Sequence, residues 1–227
     1  MLLINKTAKN QENVKTKHFI TVGLMSISSA VFCANSTEPN QKILASALEK
    51  YLAQNGDFCL GKFDWPIDVS EAEFGMKTRD ALQMPVLEKL GLVVSSQAEA
   101  MRKVGDAELP VPVKRYALTE AGKAYYIAKE SSSVSAGRKV THSHDFCAGK
   151  LSLSKLVGWE KPVEQGGIQE TTVTYTYKIA AAKWSHDPEI QQVFPMLARV
   201  VNGEGTMQLK QQFRLTGASW LAVNPWD

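Results

Sequence analysis

The residues best suited to chemistry lie in two short stretches. In the first, His142-Ser143-His144-Asp145 is followed by Cys147. Alternate side chains of an extended backbone share a face, so His142 and His144 would point the same way, as two imidazoles must to share a metal ion. No third ligand has a matching spacing, and the alternative is a solvated loop ahead of a strand. In the second stretch, Asp64, Asp68, Glu71 and Glu73 surround Trp65-Pro66. Carboxylates beside an indole platform are the equipment of a glycan hydrolase, where one acid protonates the leaving group and the other serves as base or nucleophile. Acids are also favoured at a helix start by the positive end of the helix dipole. Other chemistries lack their residues. There is no Gly-x-Ser-x-Gly, and the cysteines have no placed histidine partner. Gly203-Glu204-Gly205 is a two-glycine turn, and no glycine-rich cofactor fingerprint occurs. The reading assigns no catalytic residue and no cofactor. His186 beside Asp187-Pro188 fits a helix cap.

The chain has 227 residues, 44% hydrophobic and 22% charged, a composition that excludes disorder, collagen and disulfide-dense miniproteins. Lys6, Lys9, Lys15, Lys17 and His18 face only Glu12 over the first 18 residues, and Phe19 to Cys33 then runs without a charge. This is the profile of a signal peptide, with cleavage expected after Ala30 or Ala34. The uncharged run is shorter than the roughly 20 apolar residues a membrane span needs. Residues 1–34 hold four Lys and one Glu, so their removal leaves 22 of the 26 basic and 22 of the 23 acidic side chains. Nucleic-acid binding requires a basic footprint, and the excess of +3 sits in the segment that is discarded. Two cysteines remain, Cys59 and Cys147. In an oxidising compartment they imply one disulfide, the alternative being two buried thiols. The expected place is the periplasm or cell envelope and the expected partner another envelope protein.

Asp57-Phe58-Cys59-Leu60-Gly61-Lys62 returns as Asp145-Phe146-Cys147-Ala148-Gly149-Lys150, with weaker echoes at Pro85 to Lys89 against Pro195 to Arg199 and Tyr116 to Thr119 against Phe213 to Thr216. The repetition predicts a diverged duplication. The fold class read from it is α+β, with two small domains of helix plus antiparallel sheet. The first covers 35–130. Helices are predicted after Thr37-Glu38-Pro39, with Leu44, Leu48 and Leu52 on the apolar face, and over Lys77 to Leu90. Strands are predicted at Phe58 to Phe63, Leu92 to Ser96 and Val113 to Leu118, with a polar loop from Gln97 to Pro112. Ser131 to Gly137 reads as a linker within 131–141. The second domain, 142–227, reads β-β-α-β-β. Val173, Tyr175, Tyr177 and Ile179 share one strand face opposite Thr172, Thr174, Thr176 and Lys178. A helix capped by Asp187 runs to Asn202-Gly203, and a hairpin closes the chain. Trp159, Trp184, Trp220 and Trp226 cluster in this half. Most should be core; a partly exposed set drawn from Trp65, Tyr175, Tyr177 and Trp184 would instead form a partner surface.

Leu87-Glu88-Lys89-Leu90-Gly91-Leu92-Val93, followed by Tyr116-Ala117-Leu118-Thr119-Glu120-Ala121-Gly122, resembles the winged-helix family over about 40 residues. The resemblance implies a recognition helix, a β wing and DNA contacts by Lys77, Arg79, Arg102 and Lys103. Asp80 and Glu88 lie on the same helix, and residues 41–130 carry as many acids as bases to within one. Over most of its length after the leader the chain also resembles uncharacterised secreted proteins and lipoproteins of proteobacteria, which implies a compartment and no activity. In lipoproteins the leader ends at a lipidated cysteine, here Cys33, although Phe32 departs from their pattern. Membrane contact is then expected only through the signal segment or that lipid. Three readings follow: an exported binding protein (adaptor, inhibitor or immunity-type), a cell-wall or glycan hydrolase, and a winged-helix DNA-binding regulator.

Overall fold

The computed structural model describes residues 37–135 and 137–223. The expected signal segment, Cys33 and Trp226 lie outside the described residues. The elements run α1 (Gln41–Asn55), β1 (Asp57–Cys59), β2 (Ile67–Ser70), α2 (Glu71–Gly75), α3 (Arg79–Lys89), β3 (Val93–Val104), β4 (Ala107–Leu118), α4 (Glu120–Lys123), β5 (Tyr126–Ser135) and β6 (Arg138–Trp159). They continue with β7 (Val163–Gln165), β8 (Ile168–Ala181), a 3-10 turn (Lys183–His186), α5 (Pro188–Val193), α6 (Pro195–Asn202), β9 (Gln208–Thr216) and β10 (Ser219–Ala222). Helices and antiparallel sheets are mixed, so the class is α+β. The larger sheet has the order β1-β6-β8-β9-β10, with β5 added to β6 and β7 to β8; the smaller is β2-β4-β3.

α1 begins where the Asn40 side chain accepts from the Ile43 N–H at 3.0 Å, satisfying one of the donors a helix start leaves free. Leu44, Leu48 and Leu52 recur every four residues and are buried, and they press α1 on the larger sheet against β6 and β10. Trp220 on β10 donates from its indole nitrogen to the Thr37 carbonyl at 3.0 Å, just before this helix. α3 packs on α5: the Gln83 amide donates to the Val193 carbonyl at 2.9 Å, and Lys89 pairs with Glu189. Helices of the first half thus cover strands and helices of the second. The described residues fall in one compact unit, whereas the sequence suggested two domains divided at 131–141.

The linker is itself a strand. Ser131 to Ser135 pair with Arg138 to His142 across a turn at Gly137, φ 74°. Serine content argues for a linker only where no partner strand is at hand, and here a two-residue connection supplies one. The polar loop of 97–112 is likewise a continuous ladder, Val104 opposite Ala107 at a turn through Gly105, φ 64°. This hairpin projects beyond the core, so both of its faces are wet and the apolar alternation that marks a half-buried strand is missing. The helix expected from Asp187 to Val201 is two helices. Pro195 has no N–H to donate and breaks the run at Phe194 (φ −123°, ψ 71°). β1 ends at Cys59, short of the expected Phe63, because Gly61 turns the chain at φ 67°.

Candidate functional site

The two hexapeptides meet each other. Asp57 lies opposite Lys150, Phe58 opposite Gly149 and Cys59 opposite Cys147, and the two sulfurs are bonded at 2.02 Å. The disulfide spans 88 residues of sequence and is compatible with an exported protein. Beyond it the same antiparallel path continues, with Leu60 donating to the Phe146 carbonyl at 2.9 Å. The Asp145 carboxylate then accepts three main-chain N–H groups, from Gly61 (3.2 Å), Lys62 (2.8 Å) and Phe146 (2.7 Å). Asp145 is buried, and that burial pushes its carboxyl above the usual carboxylate range against the pull of the three donors. Lys62 is 3% exposed and pairs with Asp80 at the start of α3. Burial lowers its ammonium pKa despite that partner. The junction is a clasp that ties β1, β6 and α3 together.

His142 and His144 do share a face, as the alternation predicted, but each is occupied. His142 stacks on Phe63 with ring centroids 4.0 Å apart, and its Nε2 lies 2.8 Å from the Ser133 hydroxyl. His144 stacks on Tyr126 at 5.2 Å, and Tyr126 donates from its hydroxyl to the Phe63 carbonyl at 2.6 Å. Among the described residues no group of three His, Cys, Asp or Glu is arranged to hold a metal. The acids near Trp65 are dispersed among separate tasks. Asp68 takes both Nε and Nη2 of Arg115 at 2.7 Å, a fork that holds its carboxyl below the usual range. Glu73 closes a capping box with Ser70 at the head of α2. Glu71 and Asp64 are exposed, the latter 3.7 Å from His142.

The aromatic partner surface is core. Tyr175 is 4% exposed, Tyr177 0% and Trp184 8%. Tyr177 donates to the Val200 carbonyl of α6 at 2.6 Å, burial raises the Tyr175 phenol to about 12, and Trp184 packs on Tyr125 and Phe146. Trp65 is half-buried against Phe146. Tyr175 and Tyr177 occupy the covered face of β8, while Trp184 belongs to the 3-10 turn and Trp65 to the segment before β2. The four cations that the winged-helix resemblance assigns to DNA, Lys77, Arg79, Arg102 and Lys103, are all exposed, whereas most of α3 is not. In α3, Ala81, Gln83, Met84 and Leu87 are buried, and only Arg79, Leu82 and Lys89 are exposed. Lys77 precedes the helix at φ 53°, and Arg102 donates to the Asp68 carbonyl.

What remains open is the opposite face of the larger sheet. Register places Ser152 beside Lys178, Lys155 beside Thr176, Thr174 beside Lys210 and Thr172 beside Gln212. Lys155, Lys178, Lys210 and Gln212 are exposed. Lys210 is paired with Glu160 at 3.3 Å, and Arg214 farther along with Glu170. The sequence already set Thr172, Thr174, Thr176 and Lys178 on one face, but the rows from β6 and β9 depend on register that no local pattern encodes. Comparison with protein-family models, with curated proteins and with solved structures returns no match. The functional reading therefore rests on this geometry.

Proposed function

We propose that this chain is an exported bacterial envelope protein that works by binding another macromolecule, as an adaptor, inhibitor or immunity-type partner, without catalysis. The observation that carries the reading is the polar face of the larger sheet, where Lys155, Lys178 and Gln212 are exposed beside the half-buried Thr172 and Thr174, and where Lys155 and Lys178 make no ion pair among the described residues. A polar sheet face with exposed cations suits an extended macromolecular contact, where charge sets encounter and orientation. Export is supported by the lysine-rich start, the uncharged run that follows it, and the Cys59–Cys147 bond. No described helix is long and apolar enough to cross a membrane. For the part of the chain that resembles winged helices, the order α1-β1-β2-α2-α3 followed by the β3–β4 hairpin supports a scaffold of that shape, although β1 joins the larger sheet and α3 is spent on α5.

The test is site-specific photocrosslinking in the bacterial envelope, with the photoreactive residue placed at 155, 178 or 212 and, as controls, at Leu82 or Val134. The reading expects one discrete adduct shared by the face positions, lost in the Lys155→Glu/Lys178→Glu variant. Adducts of equal yield from the control positions, or none from the face, would contradict it.

A further inference from the structure

We infer that the free edge of β3 pairs with the β3 edge of a second copy of this chain, joining the two smaller sheets into one. A sheet edge offers unpaired N–H and C=O groups and is normally blunted. Several other edges among the described residues are blunted. β10 and β1 are only four and three residues long. β5 carries a register shift between Ala128 and Ser131. The outer side of β4, past the end of β2, carries Pro110 and Pro112, whose ladder with β3 is unbroken, so their missing N–H groups lie on the outer side. β3 is twelve residues long and has no proline and no register shift.

Parity fixes which of its groups face outward. The Ser95 N–H turns away from β4 and is accepted by Glu88, so the odd residues Gln97, Glu99, Met101 and Lys103 present their main-chain groups to the same side. All four are exposed, Met101 at 60%; the Glu99 carbonyl has only a 3.4 Å approach from Arg115. An antiparallel pairing centred on Met101 makes residue 101 exchange two hydrogen bonds with its own copy and sets Glu99 against Lys103 of the other chain, twice by symmetry. The edge is thus complementary to itself in charge and in hydrogen bonding.

Sedimentation equilibrium of the protein purified from an envelope fraction, over a concentration series, tests this. The expected mass rises from one chain toward two. Met101→Pro, which removes an outward N–H and leaves the ladder with β4 intact, should weaken association at least tenfold with an unchanged melting temperature. Lys103→Glu and Glu99→Lys should each weaken it, and the double variant should restore it. A single-chain mass up to about 1 mM overturns the proposal, as does a dimer that ignores Met101→Pro or a double swap that fails to rescue. A monomer whose edge instead captures another protein also overturns it.

Discussion

Asp57 to Lys62 and Asp145 to Lys150 share five of six residues, yet the same side chains have opposite surroundings. Asp145 is buried and accepts three main-chain donors, whereas Asp57 sits at the sheet margin between Lys129 at 3.3 Å and Lys150 at 3.4 Å. Lys62 is buried under α3, and Lys150 is half exposed. Phe146 is 0% exposed, and Phe58 only packs against the core. The glycines are needed for different reasons. Gly61 turns at φ 67°, while a Cβ on Gly149 would stand 2.8 Å from the Ala180 carbonyl oxygen where β6 meets β8. β6 is interior to the larger sheet and β1 is its edge, which separates Asp145 and Phe146 from Asp57 and Phe58; Lys62, past the end of β1, is buried by its pairing with Asp80 of α3. Tertiary surroundings, rather than local sequence, decide burial and therefore energy.

That contrast can be broken from its strongest point downward. Replacing both Cys59 and Cys147 with Ala should cost about 4 to 5 kcal/mol by loop-closure entropy before strain is subtracted, seen as a lower midpoint in urea that reductant no longer shifts. Asp145→Ala should cost about 3 kcal/mol, since three buried N–H groups lose their acceptor, whereas Asp57→Ala should cost less, about 1 kcal/mol, because its ion pairs with Lys129 and Lys150 are only part-buried and it accepts no main-chain N–H among the described residues. Equal losses would remove the asymmetry between the two motifs. Gly149→Ala should cost about 2 kcal/mol by overpacking and Gly61→Ala about 1 kcal/mol by left-handed backbone strain. Lys62→Met keeps the apolar stem and should stay within about 1 kcal/mol of the parent, while Lys62→Ala is expected to fall further.

The smallest effect is in pH, and it separates two carboxylates by sign. Burial raises the Asp145 pKa, so its contribution to stability is complete below the ordinary carboxylate value, about 3.9, and is lost as pH rises through the raised value. Arg115 lowers that of Asp68, so its contribution is present above the ordinary value and lost as pH falls through the lowered one. Stability curves should therefore show Asp68→Asn less stable than the parent at neutral pH, by about 1 kcal/mol, with the gap closing toward pH 2. Asp145→Asn should flatten the opposite slope. A gap for Asp68→Asn that widens in acid would reverse the assignment.

The elements legible in the sequence were those whose apolar side faces a single partner: Leu44, Leu48 and Leu52 of α1, the Val173 to Ile179 row of β8, and the Asp187 cap. Cysteine arithmetic also found the Cys59–Cys147 bond. The repeat was legible, but its consequence was not: a repeated motif reads as two copies of a domain, and here the copies zip against each other. The hairpin arms stayed hidden because strands wet on both faces carry no period. His142 and His144 were rightly placed on one face, but the rings that fill it, Phe63 and Tyr126, come from distant segments. Trp184 and Tyr177 are core because α6 and the 3-10 turn fold back over the sheet, a tertiary fact with no local signature.

The pairing of the two hexapeptides is tested most directly by intact-mass and peptide mapping of protein taken from an envelope fraction, alkylated before and after reduction. The account predicts one cross-linked peptide pair joining Cys59 to Cys147, with both thiols appearing only after reduction. Alkylation of Cys59 and Cys147 without reductant would contradict both the clasp and the compartment.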